Sequence, residues 1–347
     1  MRGPSRLIGG IVFGAMLIVM LLAAPAFAQI QAGAGTCLPE VQASPDAQIK
    51  DCTAVIRGGQ SGTEALSVAL AIRGSAYAGK GDLDLAIKDL DESIRLNPKA
   101  AIAYTVRGSI HSRRKEYDAA IADYSEAIKL APLLANAYND RGIAYATKGD
   151  FDRAIADYTQ AIKLNPRAAG AYNNRGIALA GKGEIDKAIA DYSEAIRLFP
   201  AYVNALNNRG GAYVSKGDYV RAIADYSEAI KLQPADFTAL TGRCWARALV
   251  GQLQPALTDC DEVVRLKPND GDAFALRGFA YLKLAKYDNA IDDYGMALWF
   301  SPKHALALYG RGIARLKKGD QGGNEDIAAA KALRRDIAEL FVKYGVH

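Results

Sequence analysis

Residues 135–168 read ANAYNDRGIAYATKGDFDRAIADYTQAIKLNPRA, and residues 169–202 read AGAYNNRGIALAGKGEIDKAIADYSEAIRLFPAY. The second stretch restates the first, 34 residues on. The same register runs outward in both directions. Pro98, Pro132, Pro166, Pro200, Pro234, Pro268 and Pro302 keep it. So do Gly74, Gly108, Gly142, Gly176, Gly210, Gly278 and Gly312, a column broken only by Cys244. Ala86, Ala120, Ala154, Ala188, Ala222, Ala256 and Ala290 form a third. A period kept so strictly marks an array of identical supersecondary pieces rather than one globular core.

Within each repeat, apolar residues at helical spacing predict two helices, each with a face to bury. Lys148-Gly149-Asp150 predicts the turn between them. Gly accepts a left-handed C-cap and Asp caps the next helix. Pro166 follows helix two and stops it. The Gly and Ala columns belong where helices cross closely. One hairpin cannot hide its apolar face, so neighbours must stack. Seven full repeats run over 67–304, with a degenerate eighth over 305–347. The eighth keeps a first helix from Leu308 to Lys318. It then turns at Gly322-Gly323 into a longer predicted helix, Asp326 to Tyr344, read as a cap.

The succession Tyr138, Gly142, Tyr145, Ala154, Tyr158 and Pro166 resembles the tetratricopeptide repeat, and the likeness covers roughly residues 67–320. The resemblance implies an all-α, right-handed superhelical solenoid of antiparallel helix pairs. It implies that helix one of each repeat lines a concave, ligand-binding surface. It also implies a protein- or peptide-binding role without catalysis.

Arg2 and Arg6 precede an apolar run, Leu7 to Ala24, and Ala26-Phe27-Ala28 follows. Residues 1–28 therefore read as a signal peptide cleaved after Ala28. An uncleaved anchor is the alternative reading of the same run. The leader and the near-identical repeats look bacterial, and the expected location is periplasmic or secreted. The formal charge is +5, with two of those charges in the leader. Asp225-Tyr226-Ser227-Glu228-Ala229-Ile230-Lys231 alternates charge sign, the mark of a solvated face. No basic stripe points to nucleic acid. No membrane contact is expected after cleavage.

On the resemblance, the Gly column faces the column of Leu90, Tyr124, Tyr158, Tyr192, Tyr226 and Tyr294 across the hairpin. One repeat carries Cys244 and Cys260 at those two places, which predicts a disulfide. Its loop closure would contribute about 3 kcal/mol in the chain-entropy model. Asp51-Cys52-Thr53-Ala54-Val55-Ile56 resembles the Asp-Tyr-Ser-Glu-Ala-Ile of later repeats. Residues 29–66 then read as a degenerate N-terminal hairpin and cap, stapled by Cys37 and Cys52. Four cysteines allow three connectivities, and the sequence alone does not choose among them. Local pairing is expected because each pair spans one hairpin. An exported destination favours disulfides over buried thiols.

Arginine precedes each place of the Gly column, from Arg73 to Arg311, and aspartate recurs from Asp89 to Asp293. The two rows read as an Arg–Asp ladder, since the guanidinium fork matches a carboxylate. A grip for acidic ligands is the alternative.

Candidate ligand contacts lie on helix one. Asn139 with Asp140, Asn173 with Asn174, and Asn207 with Asn208 recur every 34 residues. Amides donate and accept hydrogen bonds, so such rows suit an extended peptide backbone. The run Tyr172-Asn173-Asn174-Arg175-Gly176 resembles the asparagine-bearing repeats of the O-linked N-acetylglucosamine transferase superhelix, where a ladder holds peptides. Repeat duplication is the alternative source of the pattern. Further along, Trp245, Phe279, Leu282, Tyr309 and Leu316 turn the face apolar. They read either as an anchor pocket for a partner or as the seat of the C-terminal helix. Trp299 reads as packing on that helix or as a second contact surface.

His111, His304 and His347 are not spaced as metal ligands, and no phosphate loop or nucleophile elbow occurs. Neither catalysis, cofactor nor metal is expected. The function read from the sequence is a scaffold or adaptor of the cell envelope that binds proteins. Envelope-glycan binding and self-association are the rival readings.

Overall fold

A computed structural model describes Cys37, residues 44–58 and residues 62–346. The expected signal peptide and its cleavage after Ala28 lie outside the described residues. Among those residues the chain forms eighteen helices and no strand. They are α1 (Pro45–Gly58), α2 (Thr63–Lys80), α3 (Leu83–Leu96), α4 (Ala101–Arg113), α5 (Tyr117–Leu130), α6 (Ala135–Thr147), α7 (Phe151–Leu164), α8 (Ala169–Gly181) and α9 (Ile185–Leu198). Then follow α10 (Val203–Ser215), α11 (Tyr219–Leu232), α12 (Phe237–Leu249), α13 (Leu253–Leu266), α14 (Gly271–Lys283), α15 (Tyr287–Phe300), α16 (Ala305–Lys317), α17 (Gly323–Leu333) and α18 (Ile337–Lys343). The fold is an all-α helical repeat solenoid.

The repeat chemistry appears directly in the backbone. Gly149 takes φ +83° between α6 and α7. Asp150 then accepts from the Arg153 amide and caps α7. Leu164 ends α7, the Asn165 amide closes it on the Ala161 carbonyl, and Pro166 follows. Two repeats lack the turn glycine, and there Lys115 and Ala285 hold the left-handed conformation instead. That conformation is costly for a side chain.

The chain divides into two compact units at Ala178 and Leu179. In the N-terminal unit, the core is a run of small clusters between successive helices. Ala71, Ala86, Leu90, Ala103, Val106 and Ile110 form one, and Ala146, Ala154, Tyr158 and Ala178 another. In the C-terminal unit the largest cluster gathers Phe274, Phe279, Leu282, Tyr294 and Leu308 with Ile337 and Phe341 of α18.

The end of the chain departs from the sequence reading. The single helix expected from Asp326 to Tyr344 is two helices. α17 closes an eighth hairpin on α16. Gly312 and Gly323 make that crossing possible, since a Cβ on Gly323 would lie 2.4 Å from the Gly312 carbonyl oxygen. Arg334 then turns extended and donates to the Asp336 carboxylate, and α18 starts in a new direction.

Candidate functional site

Arg141 shows what the arginine row does. Its Nε and Nη2 donate to both oxygens of Asp157 at 2.8 Å each, and its Nη1 donates to Ser125 of the preceding repeat at 2.9 Å. Arg73, Arg107, Arg209, Arg243 and Arg277 hold Asp89, Asp123, Asp225, Asp259 and Asp293 in the same two-pronged way. Arg311 does so with Asp326 of α17. These carboxylates are buried. The arginines use their donors to join helix one to helix two and one repeat to the next.

The tyrosine column is wedged between first helices. A Cβ on Gly142 would meet the Tyr158 ring of its own repeat at 2.8 Å. A Cβ on Gly242 would meet Tyr226 of the preceding repeat at 2.3 Å, and one on Gly310 would meet Tyr294 at 2.3 Å. The ring therefore needs space on both sides. Where that space is not kept, the chemistry changes. Cys244 bonds to Cys260 across the hairpin, with Cα atoms 5.6 Å apart, and Leu276 of the next repeat packs where a ring would reach. Cys37 bonds to Cys52 of α1, and the pair is buried against Ala69 of α2.

The asparagine rows do not stand open along helix one. In the N-terminal unit, Asn174 donates to the Asn139 side-chain oxygen at 3.2 Å, and Asn139 donates to Asp140 at 3.0 Å. Packed first helices bring residues 35 apart within hydrogen-bond distance, so the amides satisfy one another. Asn173 is only 4% exposed. In the C-terminal unit Asn207 is 8% exposed and donates to Asp236, the residue that caps α12. The Asn207 side-chain oxygen and the Thr241 hydroxyl, in the same column, are buried without a hydrogen-bond partner. Asn208 is half-buried.

Asp140 differs from the ladder aspartates. Asn139 is its hydrogen-bond partner, and no described cation pairs with it. Burial raises its carboxyl to about 6, and the Asn139 hydrogen bond offsets only part of that rise. Burial, then the Asp140 charge, push the Tyr124 and Tyr158 hydroxyls up.

The apolar patch is occupied. Tyr344 meets the Trp245 ring edge-on at 4.8 Å, and Phe341 meets Tyr309 at 4.7 Å and Phe279 at 6.1 Å between centroids. Phe279, Leu282, Ile337 and Phe341 are all buried. Burying Ile337 and Phe341 contributes about 1.5–3 kcal/mol each. Lys283 at the end of α14 donates to the Tyr344 carbonyl at 2.8 Å. Residues Trp245, Phe279, Leu282 and Tyr309 are thus covered by the C-terminal segment rather than an open pocket: Phe341 of α18 meets Phe279 of α14 and Tyr309 of α16, and Tyr344, just after α18, meets Trp245 of α12. Trp299 does not join them. It is 73% exposed and packs edge-on against Phe300.

With the geometry in place, comparison supplies the family. The tetratricopeptide repeat model matches residues 73–135, 139–203, 181–237 and 207–271, more than half of the chain. The chain belongs to the tetratricopeptide repeat family. A tetratricopeptide repeat protein from Parabacteroides merdae ATCC 43184 shares the fold at 20% identity, covering 73% of this chain and 99% of that one, with a TM-score of 0.54. The Pseudomonas aeruginosa protein PilF shares it at 17% identity, over 60% of this chain and 96% of that one, with a TM-score of 0.54. YrrB, described as a TPR protein with an unusual peptide-binding site, matches at 21% identity over 55% of this chain and 95% of its own, with a TM-score of 0.47. None of the curated proteins compared with the chain matches it.

A tetratricopeptide array is a protein-binding scaffold, and the first-helix faces of this one divide by chemistry. The N-terminal unit holds an amide chain ending on the Asp140 carboxylate, which accepts from Asn139 and has no ion-pair partner among the described residues. The C-terminal unit offers an aromatic floor that already holds a helix. The sequence reading held the C-terminal helix as one of two occupants of this patch, and missed the break at Arg334–Asp336 and the part played by Lys283. The signal for that occupant was present in Ile337, Phe341 and Tyr344, which stand at helical spacing i, i+4, i+7. No described helix is long and apolar enough to cross a membrane.

Proposed function

We propose that the chain is a non-catalytic scaffold or adaptor of the bacterial periplasm or cell envelope. It binds an extended segment or helix of a protein partner on its first-helix faces. The observation that carries this reading is the chain from Asn174 to Asn139 to Asp140. It runs along successive first helices and ends on a carboxylate that the array does not neutralise. Such a group accepts hydrogen bonds from a ligand's amides or ammonium. The two disulfides support an oxidising compartment, and the leader read in residues 1–28 supports export.

The test is capture from envelope extract on immobilised oxidised chain. A matched column carries Asn139→Ala, Asp140→Asn and Asn174→Ala together, with helicity checked by circular dichroism. The reading expects a discrete protein on the first column and its loss from the second. Equal retention on both columns removes this site from the reading. Retention that survives protease treatment of the extract points to a glycan and overturns the protein-partner reading.

A further inference from the structure

The arginine row is completed at every place but one. Besides the fork that grips an aspartate, each arginine has a third arm, Nη1, which reaches the preceding second helix or, for Arg73, α1. Arg107 and Arg277 donate there to the Asp91 and Asp261 carboxylates at 2.6 and 2.9 Å. Arg141, Arg209 and Arg243 donate to the hydroxyls of Ser125, Ser193 and Ser227, and Arg73 and Arg175 to those of Thr53 and Thr159. Arg311 grips Asp326 with Nε and Nη2 alone. Gly295 of α15 stands where its third acceptor would be, and no described residue accepts from Arg311 Nη1. The Arg311 side chain is 27% exposed, whereas Arg107 is 22% and Arg243 15%.

Packing does not require that glycine. A Cβ at Gly295 would meet nothing within 4 Å, and glycine inside a helix weakens it. The neighbouring positions change with it. Other repeats carry a surface ion pair there, as in Glu126–Lys129, Glu228–Lys231 and Glu262–Arg265. α15 carries Met296 and Trp299 instead, 40% and 73% exposed. Phe300 replaces the leucine that ends the other second helices. It stacks on Phe274 at 6.1 Å and holds the Trp299 ring edge-on at 4.7 Å. The outer face of α15 thus combines a bare stretch of backbone, a guanidinium arm without its acceptor, and a thioether and an indole held in water. Met, Trp and Arg are side chains that protein interfaces favour.

We propose that this face of α15, together with Arg311, is a second interaction surface, and that it takes a protein segment carrying an Asp or Glu beside an apolar or aromatic side chain. The carboxylate lies over Gly295 and accepts from Arg311 Nη1, as Asp91 and Asp261 do for Arg107 and Arg277 within the chain. The apolar side chain covers Met296 and Trp299. Glycine keeps the acceptor's place open, since any side chain at 295 would project into it. The surface shares no residue with the chain from Asn174 to Asp140, so either reading can fail without the other.

The probes are two capped peptides, acetyl-Phe-Asp-Phe-amide and acetyl-Phe-Asn-Phe-amide, titrated into the full oxidised chain. Calorimetry reads affinity, and the Trp299 indole N–H signal in a proton–nitrogen correlation spectrum reads location. The Asp peptide should shift that signal and bind at least about threefold more tightly than the Asn peptide. Gly295→Ser supplies the hydroxyl that Ser125 and Ser193 supply elsewhere, and it should erase the preference. Met296→Glu with Trp299→Lys restores the ion pair of the other repeats and should remove binding of both peptides. These substitutions install what neighbouring repeats already carry, so the fold is kept, and circular dichroism checks it. An unmoved Trp299 signal, equal affinity for the two peptides, or an undiminished preference in the Gly295→Ser chain each overturns the proposal. A chain that sediments as a dimer, and as a monomer with Trp299→Lys, makes a second copy the occupant and overturns the assignment of a separate partner.

Discussion

At the scale of the residue, partnership decides whether a charge strengthens or weakens the array. Asp157 is buried beneath the fork of Arg141. Asp157→Ala strands that guanidinium, and equilibrium urea unfolding should show a loss of about 3 kcal/mol. Glu92, paired with Arg95 on the surface, is the control, and Glu92→Ala should leave the urea midpoint unchanged. Asp140 is the opposite case. Its folded carboxyl titrates at about 6, above the ordinary 3.8. Between those values the folded chain keeps a proton that the unfolded chain has released. Asp140 therefore lowers stability progressively as pH rises from about 4 to about 6, and the loss is complete above that range. Asp140→Asn should remove this slope, so its stability relative to the parent rises from pH 4.5 to pH 7. A difference that stays constant across that range would show Asp140 to titrate normally.

At the scale of the element, the tyrosine column couples three positions. Gly in the same repeat and a small or polar residue in the next repeat make room for one ring. The Cys244–Cys260 repeat has exchanged all three, with Leu276 taking the third place. Replacing the disulfide by Cys244→Gly and Cys260→Tyr should drive the new ring into Leu276. That overpacking costs about 1–3 kcal/mol. Adding Leu276→Gly, as at Gly242 and Gly310, should recover stability. Leu276→Gly alone, in the native chain, should lower it by about 1 kcal/mol or more. The same substitution thus changes sign with its background, which a thermodynamic cycle from urea titrations measures directly. A Leu276→Gly effect of the same sign in both backgrounds would refute the coupling.

At the scale of the whole molecule, contacts run between helices near one another in sequence, as between α2 and α3, α3 and α4, and α2 and α4. A stack of this kind transmits little beyond its nearest neighbours. The Cys37–Cys52 bond ties the described N-terminal residues onto α2. Removing it with Cys37→Ser and Cys52→Ser should raise amide exchange in α1 and α2 and leave α14, α15 and α16 as they were. Faster exchange along the entire chain would mean that the array unfolds as one cooperative body.

The repeat and its register were readable from the chain alone, because a proline, a turn glycine and the crossing glycines mark positions where only local backbone chemistry is at stake. The same local logic made the Arg–Asp rows legible, since both partners recur with one period. Asn139, Asn173 and Asn207 were legible as a row but not as an open one. Whether an amide faces a ligand or its neighbour depends on how closely first helices pack, and that is settled between repeats. The aromatic residues from Trp245 to Tyr309 were legible as a patch, with two possible occupants. The packed fold chooses α18, because the turn at Arg334–Asp336 carries a weak local signal. The burial that holds the helix comes from side chains such as Phe279 and Tyr309, which stand on helices earlier in the chain.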